Sequence, residues 1–223
     1  MPTSTVENYV KQIYLQQQER GTDLLPMGQL ATVMNVVPGT ATAMVKTLAE
    51  SGLVQYEPRG GIRLTEGGTR LALHVLRRHR IIEAFLVDVL GLDWSEVHDE
   101  AELLEHVVSD KVLDRMDALL NHPQYDPHGD PIPTSQGDIA EQSISQMIDC
   151  KAGDQAIVAR VSDQDPEFLQ YIERHGLIPG TQIYVTSVNT WADSIEVRLP
   201  NETAVVLGSN AAAKILVRPY SSD

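Results

Sequence analysis

His98, Glu102, Glu105 and His106 stand at offsets 0, 4, 7 and 8 in the run VHDEAELLEHVVSDKVLDRM. At about 100° per residue, a helix gathers all four within an arc of roughly 100°. Such a cluster is costly in a dry core, where every charge must be paired, and a solvated face does not need it. A divalent cation accounts for it. Carboxylate oxygens with imidazole nitrogens suit manganese, ferrous iron, cobalt, nickel or zinc. No thiolate joins the set, which favours manganese or ferrous iron over a cysteine-rich zinc site, although zinc often outcompetes manganese at a given nitrogen/oxygen site.

A second pair lies upstream. His79 and Glu83, in RRHRIIEAFL, are four residues apart and point the same way on a helix. Antiparallel packing of that helix against Ala101–Leu120 would bring the two sets together. One site would then use Glu102, Glu105 and His106, and the other His79, Glu83 and His98. Either set alone could be a surface helix face or an i,i+4 pair. Both in one chain favour metal.

The elements that must position these groups follow from the rest of the pattern. Thr3 to about Arg20 reads as a helix with an apolar stripe of Val6, Val10, Ile13 and Tyr14. Met27–Met34 is a short helix, Asn35–Gly39 a turn, and Thr40–Ser51 a helix closed by Gly52. Leu53–Gln55 and Ile62–Leu64 are short strands around the turn Glu57-Pro58-Arg59-Gly60-Gly61. This order is that of a winged helix-turn-helix. Thr65-x-x-Gly68 opens a helix running to about Leu90, and helical stretches follow at Ser95–Glu100 and Ala101–Leu120. Residues 121–137, with four prolines and two glycines, read as a linker that a short helix, Ile139–Ser145, could continue. From Asp154 the pattern turns to β. AIVARV, QIYVTSV, SIEVRL and ETAVVL are short β-branched runs, interrupted by the helix PEFLQYIERHGL, and suggest a small barrel.

Net charge is −14 and uneven. Residues 1–80 hold nine Lys and Arg against six Asp and Glu, and the remainder eight against 25. Acidity overall argues against indiscriminate nucleic-acid binding but leaves an N-terminal module able to bind DNA at a specific site. The acidic remainder would attract divalent cations. No apolar stretch approaches ~18 residues, so no membrane span is expected. The N-terminus is amphipathic and lacks a signal peptide's apolar region. The single cysteine, Cys150, excludes an intrachain disulfide and suits a reducing cytoplasm.

In a winged helix the recognition helix enters the major groove by its N-terminal residues, here Pro38, Gly39, Thr40, Thr42 and Ala43. Lys46 follows as a phosphate contact, and Arg59 at the hairpin tip, with Arg63 beside it, could reach backbone or minor groove. Thr40 could equally be a helix cap, and Lys46 and Arg59 singly are ordinary surface charges. Few long polar side chains stand on this helix, so van der Waals contact and DNA shape share the readout.

The runs ENYVKQIY, TATAMVKTLAESGLV, RRHRIIEAFL, VHDEAELLEHVVSDKV and DPHGDPIP resemble, over nearly the whole chain, the diphtheria-toxin-repressor family of iron- and manganese-dependent transcriptional repressors. The resemblance implies a mainly α protein with a small β domain. Its parts are a winged-helix DNA-binding domain (1–72), a helical dimerisation and metal domain (73–140), a linker (141–153) and a C-terminal SH3-like, iron-transport-protein-A-like domain (154–223). It implies one metal site of His79, Glu83 and His98, and another of Glu102, Glu105 and His106 joined by Asn8. Iron-type members carry cysteine at Glu102 and manganese-type members glutamate, which tilts the metal toward Mn²⁺, with Fe²⁺ the alternative and Zn²⁺, Co²⁺ or Cd²⁺ as substitutes in vitro. Manganese regulators place acidic residues where this chain has Asn8 and Lys11. Three-domain members also supply ligands from the SH3-like domain, about where Gln164 and Glu167 fall; as a loop residue and a helix N-terminal carboxylate, these need no metal.

The implied function is transcription regulation and metal homeostasis. A cytoplasmic homodimeric repressor would bind a palindromic DNA operator of metal-uptake genes with metal as corepressor, without membrane contact or enzymatic activity. A metalloenzyme would leave the helix-turn-helix unexplained, and a metal-independent regulator would leave the histidine–glutamate sets unexplained.

Overall fold

The computed structural model describes residues 2–220. They form two compact units. The first comprises residues 2–79 with Leu103–Asp110 and Pro133–Asp138, and the second Arg80–Glu102 with Lys111–Ile132 and residues 139–220.

The first unit contains the expected winged helix. Helix α1 (Ser4–Arg20) starts where the Thr3 side chain accepts from the Val6 amide and stops at Gly21, whose φ of 60° is the left-handed turn of a helix C-terminus. α2 (Met27–Val33) and α3 (Pro38–Glu50) follow, and α3 opens on a proline, which needs no amide partner there. The recognition helix therefore begins two residues earlier than Thr40. Val37 holds the cap position without a side-chain bond, so Thr40 is not the cap. Strands β1 (Val54–Glu57) and β2 (Gly61–Leu64) pair antiparallel, and Arg59 sits at their tip with φ 66°. Tyr9, Val10, Ile13, Leu30, Val45, Leu48 and Ile62 form the core beneath.

Helix α4 (Glu66–Asp88) begins at the anticipated Thr65-x-x-Gly68, where the Gly68 amide donates to Thr65 Oγ1 at 3.1 Å. The division between units falls inside α4, after His79. The expected continuous helix Ala101–Leu120 is instead two, α5 (Val97–Leu104) and α6 (Asp110–Leu119). The amides of Val107 and Val108 both turn back to the Leu104 carbonyl at 3.0 Å. Two β-branched residues followed by Ser109 and Asp110 favour a break and a fresh acidic N-terminus over continuation. Glu105 and His106 thus lie in a turn, and the single four-residue face is corrected to His98 and Glu102 on α5, with the other two beyond its end.

In the second unit a six-stranded antiparallel sheet runs in the order β3-β8-β4-β5-β6-β7. Its strands are β3 (Ser145–Gln146), β4 (Gln155–Val161), β5 (Gln182–Asn189), β6 (Ser194–Arg198), β7 (Ala204–Gly208) and β8 (Ile215–Pro219). Helices α7 (Pro166–Arg174) and α8 (Ser209–Ala213) complete it. The four anticipated β runs are present as β4 to β7; β3, β8 and α8 had not been anticipated. Met147, Val158, Val161, Leu169, Val185, Ile195 and Ile215 fill its core, with Trp94 against them. No helix forms at Ile139–Ser145; residues 139–144 carry no regular element, and β3 begins at Ser145.

The proline-rich stretch is no bare linker. Asp126, His128 and Gly129 are buried, and the Val161 amide of β4 donates to the His128 carbonyl at 2.9 Å. Gly129 has φ 88°, and a Cβ there would stand 2.0 Å from the Ala159 carbonyl oxygen. Left-handed strain of about 1–3 kcal/mol would add to that overlap. Gly129→Ala is accordingly expected to lower unfolding free energy by more than about 2 kcal/mol in urea denaturation; an unchanged midpoint would contradict this packing.

Candidate metal centres

In the first unit, α1 presents Glu7 and Lys11 toward the turn after α5. Glu105 is fully buried. Its Oε1 accepts from Lys11 Nζ at 2.6 Å and its Oε2 from His79 Nδ1 at 2.6 Å. Burial pushes its carboxyl pKa up, but the His79 hydrogen bond and the Lys11 ammonium together outweigh this and hold it below the usual carboxylate value. Arg78 donates to the Glu105 carbonyl at 3.4 Å and to Asp110 at 2.8 Å, which fixes the turn.

His106 Nδ1 lies 2.6 Å from Glu7 Oε2. An ionised carboxylate only accepts, so Nδ1 carries the proton and Nε2 the lone pair. Nε2 is buried, has no hydrogen-bond partner among the described residues, and lies 3.4 Å from Glu105 Oε1. Asn8 Oδ1 is likewise buried without a partner. His106 Nε2 and Glu105 Oε1 are both acceptors, and such a pair at 3.4 Å is favourable only with a cation or proton close by. A carboxylate fixing a histidine tautomer is also the usual support behind a metal-bound imidazole. These residues fit a divalent metal.

The second unit holds another cluster. Glu83 on α4, Asp126 and His128 each offer a ligand atom within 4.8 Å of the others, and all three are buried. His128 Nε2 donates to the Trp94 carbonyl at 2.9 Å, so Nδ1 holds the lone pair, 3.9 Å from Glu83 Oε1. Nδ1 of His128 and Oδ2 of Asp126 have no hydrogen-bond partner among the described residues. His98 Nδ1 approaches Glu83 Oε1 at 3.4 Å, and His98 Nε2 lies 3.8 Å from Glu102 Oε1. Desolvation by burial, then Asp130 and Glu83, push the Asp126 carboxyl well above its ordinary value, against the pull of Arg80.

Glu83 and His98 come together as expected. His79, one turn before Glu83 on α4, bonds Glu105 in the first unit. Glu102 stands beside His98, whereas Glu105 and His106 meet α1. Asp126 and His128 were missed because DPHGDPIP reads as linker by its prolines; the histidine and aspartates inside it were the available signal. Glu167 is exposed in the first turn of α7 and joins none of the metal-competent groups among the described residues, and Gln164 lies half-buried in the loop before α7. Their position suits a helix N-terminus, where Asp165 accepts from the Phe168 amide.

On the recognition helix, Pro38, Gly39, Thr40, Ala43 and Lys46 are exposed, as are Arg59 and Arg63 on the hairpin. Thr42 is half-buried and its hydroxyl donates to the Pro38 carbonyl at 2.8 Å, which leaves it mainly a methyl surface.

A carboxyl raised in the folded state loses stability for the fold as pH climbs from its unfolded value near 3.9 through the higher folded value. Asp126→Asn keeps the Oδ1 acceptor and removes that loss. The metal-free variant should be more stable than the wild type at pH 8, and the difference should vanish as pH falls below the unfolded carboxyl value. Chemical denaturation with chelator at both pH values measures this; a variant less stable at pH 8 would show that Asp126 is held as a compensated anion.

Comparison with known proteins agrees with this layout. Residues 1–62 match the family model of the iron dependent repressor N-terminal DNA binding domain, 65–134 its metal binding and dimerisation domain, and 146–219 the FeoA domain. The iron-dependent repressor IdeR of Mycobacterium tuberculosis is 29% identical over 225 residues, 96% of each chain. An HTH-type regulator of Methanocaldococcus jannaschii is 40% identical over 114 residues, 51% of this chain and 90% of that protein. A solved manganese-dependent transcriptional repressor in complex with manganese superposes with a TM-score of 0.90 at 41% identity, covering 96% of this chain and 100% of that one. With a winged helix, two carboxylate–imidazole clusters and a C-terminal FeoA domain, this chain belongs to the diphtheria-toxin-repressor family of metal-dependent, DNA-binding transcriptional repressors, which are not enzymes.

Proposed function

We propose that this protein is a Mn²⁺-responsive repressor that binds a palindromic operator as a homodimer and controls metal-uptake genes in the cytoplasm. The observation that carries the reading is the buried, unpartnered His106 Nε2, 3.4 Å from the Glu105 carboxylate. Asn8, Glu105 and His106, with His79 against Glu105, would hold one ion. Glu83, His98, Asp126 and His128, with Glu102 beside His98, would hold another. Bound metal supplies positive charge that ties oxygen and nitrogen donors from separate segments into one arrangement.

The chain's own residues do the rest. Asn8 and Glu7 lie on α1 of the winged helix, and Glu105 and His106 lie beyond α5. Drawing Asn8 to Glu105 and His106 fixes α1 to the turn before α6. Metal favours the DNA-competent arrangement only by its higher affinity for that state, and DNA tightens metal binding by the same factor, typically about 5–150-fold. In a two-fold dimer, Pro38, Gly39, Thr40, Thr42 and Ala43 would meet the major groove, and Lys46 and Arg59 phosphates.

A donor set of oxygen and nitrogen without thiolate favours manganese, as does similarity to a manganese-dependent repressor. Fe²⁺ is the second reading, supported by similarity to IdeR. Anaerobic titration of operator binding against Mn²⁺, Fe²⁺ and Zn²⁺ separates them. Wild-type binding should require metal and vanish with chelator, and Glu105→Ala and His106→Ala should each lose at least about tenfold in the metal-dependent gain. Operator binding indifferent to chelator would sink the corepressor reading.

A further inference from the structure

We infer that Lys11 is a built-in cation that competes with the metal for Glu105 and thereby sets the metal level at which the first centre fills. This inference rests on the metal reading of that centre. Lys11 is only 2% exposed and its ammonium is 2.6 Å from Glu105 Oε1, the oxygen that also faces His106 Nε2 at 3.4 Å. The oxygen nearest the unpartnered imidazole nitrogen is thus already taken by a positive charge supplied by the chain itself.

Glu105 is fully buried and cannot be left uncompensated. In the metal-free protein, Lys11 compensates it. A divalent ion entering between Glu105 and His106 meets that ammonium as a like charge in a poorly screened interior. The ion must either displace Nζ from Oε1 or share the oxygen with it. Lys11 therefore stabilises the metal-free state and penalises the metal-bound one, and both effects weaken affinity. The position is also selective: any cation too weakly bound to carboxylate and imidazole to overcome the ammonium is excluded. A lysine of purely structural importance would stabilise both states alike.

The test compares the full-length wild type with Lys11→Met, Lys11→Gln and Lys11→Arg by Mn²⁺ titration calorimetry and electron paramagnetic resonance of free Mn²⁺. His106→Ala in each background identifies the first centre's share. Lys11→Met and Lys11→Gln should bind Mn²⁺ at the first centre at least tenfold tighter than wild type. Lys11→Arg, which keeps the charge, should stay within about threefold. Thermal melting should show a less stable metal-free Lys11→Met protein with a larger upward shift on adding Mn²⁺. If Lys11→Met does not fold, Lys11→Gln against Lys11→Arg decides the matter. Equal or weaker affinity in the neutral variants, with wild type binding normally, would overturn the role of Lys11 and leave the metal reading intact. Loss of Mn²⁺ binding in wild type and all variants would overturn both.

Discussion

A fully buried carboxylate must be met by positive charge or by donors, and Glu105 is the residue on which this demand falls. Lys11 and His79 satisfy its two oxygens. Beside them His106 Nε2 is an acceptor to spare, 3.4 Å from Glu105 Oε1. Leaving one partner of a buried ion pair unmatched typically costs about 3–5 kcal/mol. The local backbone follows from that demand. Glu7 and Lys11 share one face of α1 at i,i+4, while adjacent helical residues diverge by about 100°. Glu105 and His106 can both reach that face because α5 has already ended at Leu104.

The second unit meets a similar demand differently. Glu83, Asp126 and His128 are buried together, and the tautomer of His128 is fixed by the Trp94 carbonyl. The backbone of the same proline-rich segment pairs with β4 through the His128 carbonyl, and Asp130 lies between Arg80 and Arg160 at 3.3 and 3.2 Å. The segment carrying two metal-competent side chains is therefore also bonded to the C-terminal sheet. A change in the charge held by Asp126 acts on a backbone already committed to that sheet.

Much of this was legible in the residues. Periodicity placed α1 and the body of the recognition helix, whose start at Pro38 falls two residues before the expected Thr40, and Thr65-x-x-Gly68 placed the start of α4, since apolar spacing and cap chemistry are local signals. The C-terminal β runs were readable for the same reason. The break after Leu104 was not, because a run of metal-competent residues at helical spacing masks a turn formed by Val107, Val108 and Ser109. Spacing grouped Glu83 and His98 across elements, whereas the contacts of Glu105 with Lys11 and of His106 with Glu7 depend on tertiary packing that spacing alone does not determine. Asp126 and His128 were hidden by prolines that suggest an exposed linker, where burial, a backbone bond to β4 and a required glycine instead hold the segment in place. The weight of Lys11 was recognised only as a missing ligand; its bond to Glu105 is a long-range contact.

Metal binding among Asn8, Glu105 and His106 would be the switch of the proposed repressor. Crystals grown with Mn²⁺ and measured for anomalous scattering address this directly. An anomalous peak in coordination contact with His106 Nε2, Asn8 Oδ1 and a Glu105 oxygen is the expected result. A fully occupied peak elsewhere, with His106 Nε2 bonded to water or protein alone, would contradict it.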